Sequence, residues 1–487
     1  MTEENTDQES LDPEDWDAMH ALAHTMVDDA MDYIRTVGDR KVWQRVPEEV
    51  ARMLDVPVPH QPTSPQSVYA EFRENVMPYP TGNIHPRFWG WYMGNGTVMG
   101  AMADFMAAVM NPNLGGGNNS ANLVEQQVTR WMKEIMGFPD SASGLLVSGG
   151  SVANLTGITV ARNDRAGFDV REAGLQGDSP QLTIYGSTEA HSCIQKAAEL
   201  LGIGQAGYRR IPVDEDYCMD IGALVWTVEA DIDAGRRPVC IVASAGTVNT
   251  GSVDDLNAVA DLCEEHGIWF HVDGAIGAVA MLSDVVRPTL SGIERADSIA
   301  MDLHKWMHIP FEVGCVLVKK PDAHLETFSL MPPYLKSGNA QGGMATGGHW
   351  FSEYGVQLSR GFRALKVWMT LKEHGTERLG RMISRNVEQA HYLAGLIDEN
   401  ELLECVAPVG MDIVCYRFNP GGMEDQALDT LNSRILVALQ ERGLAAPSYT
   451  TLHGRYCIRV AIANFRSTLS DFDFLVEQTV ALGRELS

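Results

Sequence analysis

An acid and a lysine, each closing a short apolar run, constrain this chain more than any other feature. The first run, Gly267 to Val272 (GIWFHV), stops at Asp273; the second, Asp297 to Met301, stops at Asp302-Leu303-His304-Lys305. Apolar, β-rich runs of this length read as buried strands, and ligands in α/β sheets gather at strand ends. A carboxylate and an amine so placed suit chemistry on an aldehyde cofactor. The amine can form a Schiff base, the carboxylate can keep a pyridinium nitrogen protonated, and pyridoxal phosphate needs both. Taken singly, each residue has a plainer reading, Lys305 as a solvated lysine and Asp273 as a helix cap.

Charge removes one class of partner. With 37 basic and 64 acidic side chains the formal net charge is -27, a field that repels phosphate backbones and anionic membrane surfaces. An anionic cofactor must then be held by local devices, backbone N–H groups and a helix N-terminus. The eight cysteines (Cys193, Cys218, Cys240, Cys263, Cys315, Cys405, Cys415, Cys457) form no CxxC pair, so they read as buried free thiols, and no metal centre is expected. The acidic start, MTEENTDQESLDPEDWD, lacks the basic and apolar regions of a signal peptide, and no apolar run reaches the roughly 18 residues of a membrane span. A cytoplasmic protein is expected.

The fold class expected is α/β. Apolar runs at Leu182–Tyr185, Val239–Ser244, Ile268–Val272, Ser298–Met301 and Val313–Val318 are separated by helical stretches such as Cys193–Leu201, Ile221–Ala234 and Leu256–Glu265. Near-continuous apolar strands with helical crossovers argue for a sheet covered on both faces. Upstream, Leu145–Val147 enters Ser148-Gly149-Gly150-Ser151, and Val152–Arg162 follows at helical spacing, capped by Ser151 or a neighbour. Strand, glycine turn and helix N-terminus together offer free N–H groups and a positive dipole end to an anion. The turn is neither GxGxxG nor GxxxxGK[ST], so dinucleotide and P-loop readings lack their fingerprints. Ser148, Ser187 to His191, Thr247, Asp273 and Lys305 all fall just past expected strand ends.

Outside that core, residues 1–75 read as an acidic tail, an amphipathic helix over Trp16–Arg40 and a Pro-rich arm; 76–375 as the large cofactor-binding domain; 376–487 as a smaller C-terminal domain of αβ units. The segment HPRFWGWYMGNG (85–96) clusters Phe88, Trp89, Trp91 and Tyr92, which read either as core or as the wall of a substrate pocket. Residues 331–355, rich in Gly, Ser, Asn and Met, read as a long loop with the composition of a lid.

The ordered set SGGSxAN, STEAHSC, AGTVNTGSVDD, WFHVDGA, DSIAMDLHKW and RGFRALKVW resembles the group II pyridoxal-phosphate decarboxylases, the family of aromatic-L-amino-acid and glutamate decarboxylases, from about residue 70 to the C-terminus. The resemblance implies fold type I, with a mostly parallel seven-stranded sheet, a smaller C-terminal α+β domain and a homodimeric assembly. It implies Lys305 as the lysine bonded to the cofactor, Asp273 as the partner of the pyridine nitrogen and His191 as the ring stacked on it. Gly149, Gly150, Ser151, Thr247, Ala275, Asp302 and His304 would surround the cofactor, and a protonated His191 or a neighbouring group would return a proton to the substrate carbon. Trp89, Trp91 and Tyr92 favour an aromatic or bulky apolar amino acid, to be decarboxylated to its amine. The family's decarboxylases carry a tyrosine in the loop, where related aldehyde synthases have phenylalanine. Here the register puts Gly347 or Phe351 at that place, with Tyr334 and Tyr354 nearby and Tyr354 taken as the candidate. Decarboxylation coupled to oxidative deamination, another carbon–carbon lyase step, or a cofactor-free binding role on the same fold are the alternatives.

Overall fold

The computed structural model describes residues 10–177, 179–330 and 349–487. In chain order its strands are β1 (Phe88–Trp89), β2 (Ser143–Val147), β3 (Leu182–Ser187), β4 (Tyr208–Ile211), β5 (Arg237–Ser244), β6 (Trp269–Asp273), β7 (Ser298–Asp302), β8 (Gly314–Val318), β9 (Leu403–Cys405), β10 (Ile413–Phe418), β11 (Ala446–Leu452) and β12 (Arg455–Ala461). Seven of them form one sheet in the order β2-β8-β7-β6-β5-β3-β4, parallel except for β8, which runs antiparallel to both of its neighbours. Every residue of β2, β3, β6, β7 and β8 is buried, as their unbroken apolar runs require.

Side chains alternate across this sheet and feed two cores. Ile241, Ala243, Phe270 and Val272 point to the face covered by helices Ser120–Ile135, Ile221–Asp233 and Leu256–His266. Cys240, Val242, Trp269 and Ala300 point to the other, beneath helices Gly150–Arg165 and Ser192–Leu200. Two-sided burial leaves only the strand ends open to a ligand.

The second sheet, β1-β11-β12-β10-β9, is not built from C-terminal residues alone. β1 pairs parallel with β11, Phe88 opposite Ala446 and Trp89 opposite Pro447. The boundary expected between residues 375 and 376 falls inside one helix, Arg363–Asp398, kinked where Gly375 takes φ 67°. A glycine tolerates that left-handed backbone, so the helix bends and continues. The first helix stops earlier than its apolar spacing predicts, at Arg35, where Thr36 caps it by donating its N–H to the Asp32 carbonyl. No described helix is long and apolar enough to cross a membrane.

One buried ion pair ties the large domain together in front of β2. Arg360, 4% exposed, donates to the carbonyls of Leu114 (3.0 Å) and Leu146 (2.6 Å) and grips both oxygens of Glu125, which itself accepts the Leu146 N–H at 3.2 Å. Removing one partner strands a buried charge, so Arg360→Met is expected to cost about 3–5 kcal/mol. Adding Glu125→Met should recover part of that loss; the chemical-unfolding midpoints of the single and double variants check both.

Candidate active site

The C-terminal ends of β6 and β7 and the turn after β2 converge on one cavity of about 290 Å³, lined by Ser148, Gly149, Gly150, Ser151, His191, Asp273, Ala275, Asp302, His304 and Lys305 among others. Residues far apart in the chain meet here because the sheet aligns their strand ends. Asp273, the last residue of β6, is 7% exposed, and one of its oxygens accepts the Ala275 N–H at 3.2 Å. Asp302, the last residue of β7, is shared by two elements: Oδ1 accepts the Gly150 N–H at 2.5 Å, and Oδ2 lies 3.1 Å from the Lys305 amine.

Helix Gly150–Arg165 begins at the glycine turn, with Gly149 rather than Ser151 as its cap. Its positive dipole end faces the cavity, where an anion is stabilised. Glycine is required at the first helical position because a Cβ on Gly150 would sit 2.8 Å from Asp302 Oδ2 and 3.1 Å from Ala275 Cβ. Behind the turn, His271 bridges sheet and helix: Nε2 meets Asn154 Oδ1 at 2.8 Å, Nδ1 meets Ser298 Oγ at 2.7 Å, and Asn154 donates to the Gly150 carbonyl at 2.9 Å. Burial pushes the His271 ring down to about 3, so this linker is neutral.

His191 caps helix Ser192–Leu200, its Nδ1 accepting the Cys193 N–H at 3.2 Å. That donor leaves only the Nε2–H tautomer, and burial lowers the ring's pKa, opposed by the charge of Asp273. Both favour the uncharged ring, which presents a flat face with its proton on Nε2. His304 is held at its Nδ1 by the backbone of Val313 and tilts onto Phe311 at 4.3 Å. Thr247 lies between the cavity-lining residues Gly246 and Val248, but its hydroxyl turns inward to Thr250 (2.9 Å) and the Ser252 N–H (3.0 Å).

Besides Thr247, four further candidates among the described residues do not line the cavity. Trp89 is 1% exposed in the core of the small sheet, stacked on Phe472 at 5.1 Å with its indole N–H on Ser467. Trp91 is 65% exposed, and Tyr92 is buried with its hydroxyl on Asp412. Tyr354 lies outside, beyond edge strand β2, because two histidines hold it there: His349 stacks on it at 4.5 Å, and His324 packs edge-on and donates to its carbonyl at 2.8 Å. Phe351 is buried in the core beside it. Tyr334 and Gly347, with the loop over 331–348, lie outside the described residues. The aromatic segment does reach the site through its backbone, at Gly94.

Cavity residues missed in the sequence include Asn154, Cys193, Val248 and Ile276. For Asn154 a signal existed, since it lies one helical turn beyond Gly150 and must share its face.

A sequence profile for the "Pyridoxal-dependent decarboxylase conserved domain" matches residues 47–419. The chain belongs to the pyridoxal-dependent decarboxylase family. It is 33% identical over 475 residues to the aromatic-L-amino-acid decarboxylase of Bacillus atrophaeus, covering 96% of each chain. It is 28% identical to the phenylacetaldehyde synthase of Arabidopsis thaliana, covering 94% of each. Among solved structures it is similar to Oryza sativa TDC with PLP and tryptamine, at TM-score 0.89 and 25% identity over 98% of this chain and 100% of that one. This decarboxylase is thus a fold type I carboxy-lyase with pyridoxal phosphate as its cofactor. The donor set fits that group: an amine for the aldehyde, a carboxylate for the pyridine nitrogen, a helix N-terminus for the phosphate and a neutral ring for the flat face.

Gly94 tests how tightly the lysine turn is held. A Cβ there would lie 2.2 Å from the Lys305 carbonyl oxygen and 2.3 Å from that of His304, so Gly94→Ala must push the turn away. At least a tenfold loss of cofactor affinity is expected, as about 1.4 kcal/mol of displaced geometry would produce; titrating the visible band of the lysine-bound cofactor measures it.

Proposed function

We propose that this decarboxylase acts on an aromatic L-amino acid and releases the amine and carbon dioxide without consuming oxygen. The observation that carries the reading is the single cavity shared by Lys305, Asp273, His191 and the glycine turn; the aromatic substrate is supported by the 33% identical relative that bears that activity in its name. When bound, pyridoxal phosphate supplies an electron sink for the bond broken at the substrate's Cα. Lys305 would hold the cofactor through its amine. Asp302, within 3.1 Å, keeps the lysine amine oriented while it is free. Asp273 holds the pyridine nitrogen's proton, and the turn Gly149-Gly150-Ser151 receives the phosphate. His191 would pack on the ring, and its Nε2–H would be a hydrogen-bond donor offered to the site. Ala275 and His304 close the remaining walls.

The working unit we propose is a homodimer. Its support is the apolar face left uncovered on helix Val98–Met110, where Phe105, Met106, Val109 and Met110 are exposed, together with exposed Trp91 nearby in the chain. A cytoplasmic location is supported by eight cysteines that are all free.

Oxidative deamination is the second reading, favoured by one observation: Tyr354, the candidate tyrosine, lies outside the cavity. Product analysis separates them. Amine and carbon dioxide without oxygen uptake are expected from an aromatic L-amino acid; aldehyde, ammonia and peroxide would overturn the first reading. Asp273→Asn should lower kcat by on the order of 10²–10³-fold, the usual cost of one lost charge-stabilising group, while borohydride still fixes the cofactor to Lys305.

A further inference from the structure

Behind the cavity lies a second cluster of titratable groups that this chemistry does not use. Tyr92 donates its hydroxyl to Asp412 Oδ2 at 2.7 Å, and both residues are buried, Asp412 completely. Asp412 Oδ1 has no hydrogen-bond partner among the described residues. Beside them Arg459, 3% exposed, gives its donors to neutral oxygens: the carbonyls of Trp91, Val248 (2.5 Å) and Asn249 (3.0 Å) and the Ser448 hydroxyl (3.3 Å). When ionised, Asp412 acts electrostatically on both Arg459 and Tyr92.

Each member of the cluster touches the site through one intermediate. Val248 lines the cofactor cavity, and Arg459 holds its carbonyl. The Tyr92 ring packs edge-on against Trp306, the residue after Lys305, at 6.4 Å. Two residues past Tyr92, Gly94 presses on the carbonyl of Lys305 itself. Met411, the neighbour of Asp412, packs on Gly246 and Gly277, and Gly246 lines the cavity. The carboxyl group bonds the aromatic segment directly at Tyr92, while its neighbours Met411 and Arg459 carry the contact to the cavity wall.

We propose that Asp412 is a positioning residue: ionised, it fixes Tyr92 and Arg459, and through them the Val248 wall and the Lys305 turn, in the arrangement that binds substrate, and protonated it releases them. The proposal rests on the decarboxylase reading for what the site binds, but not for the titration itself. Physically, the ionised form makes a charge-assisted bond with the Tyr92 hydroxyl and compensates a buried guanidinium. The neutral form does neither. The titratable groups facing Asp412 are Tyr92, from the aromatic segment, and Arg459, from β12; its chain neighbour Met411 and Ile462, whose N–H donates to the Asp412 carbonyl, carry no charge. Burial drives the carboxyl up to about 7, against the opposing pull of Tyr92 and Arg459. An acid raised in this way keeps its proton in the folded protein until the pH climbs through that value, so the binding arrangement is present above about 7 and lost below it.

The test is made on the holoenzyme. In the wild type, KM should rise about fivefold or more as pH falls through neutrality, the smaller end of ordinary coupling between sites, with kcat little changed. Asp412→Asn, neutral at every pH, should show the raised KM throughout and lose that inflection. Tyr92→Phe removes a bond that favours the anion, so its inflection should move to higher pH. Asp473→Asn, which removes the partner of a comparable Tyr392 bond at 2.7 Å far from the cavity, should leave the profile unchanged. Infrared difference spectra between acid and alkaline pH should show a protonated-carboxyl stretch that Asp412→Asn abolishes. This signal needs no turnover and so separates failure of the proposal from failure of the functional reading. An unchanged KM inflection in Asp412→Asn, or an unaltered carboxyl stretch, overturns it. Should that variant not fold, an unshifted profile in Tyr92→Phe overturns it equally.

Discussion

The site depends on one buried carboxylate shared between two elements. Asp302 takes the Gly150 N–H on one oxygen and faces the Lys305 amine with the other, so the start of the helix after the glycine turn and the lysine amine are referenced to the same group. Its own position is set by the sheet, where it pairs with Gly314 of β8 across an antiparallel ladder. A Cβ on Gly314 would meet the Gly149 Cα at 2.7 Å, so the glycine turn lies directly on that ladder. A buried ion pair of this kind adds little net stability, because desolvation offsets its attraction. What it supplies is geometry, since neither element can move without leaving a charge uncompensated.

Around this lock, the protein handles charge locally rather than globally. A chain of net charge -27 would not attract a phosphate by its average field. The helix dipole behind Gly149 and the amine of Lys305 act at contact distance, where screening is weak. Burial disfavours charge on the histidines near the site, lowering His191, His271 and His304 alike. Neutral rings can pack against a flat cofactor or bridge strand to helix, as His271 does through Asn154, without competing with Lys305 for the nearby carboxylates. Farther back, the buried Asp412 carboxyl accepts the Tyr92 hydroxyl, and Arg459 binds the carbonyls of Trp91 and Val248, adding side-chain ties between the aromatic segment, the small sheet and the cavity wall.

Much of this arrangement is legible in the order of the residues. The runs ending at Asp273 and Asp302 are β6 and β7, and the apolar run into SGGS is β2 followed by a helix. These succeed because two-sided burial makes parallel strands uniformly apolar and leaves the first polar residue at the open end. The aromatic segment shows where such reasoning stops. Trp89 and Trp91 share a composition and differ in fate, 1% against 65% exposed, because Trp89 ends β1, which pairs with a strand more than three hundred residues later, whereas Trp91 lies past that strand on backbone with φ 54°. Tyr354 is close to the right place in the sequence, yet His324 and His349 hold it beyond β2.

The sequence alone determined which chemistry the chain can support: an amine and a carboxylate at strand ends, a glycine turn before a helix, and a histidine beside them are local facts of residue type and order. Only the tertiary structure decided how those groups meet and which others serve them. That Gly94 bears on the Lys305 backbone, that Asp302 divides its oxygens between helix and lysine, and that Tyr92 turns to Asp412 rather than into the pocket all follow from contacts between distant segments. Hydrophobic periodicity carries the direction in which a side chain points. It carries nothing about which partner is waiting there, because partners are chosen by packing the whole chain at once.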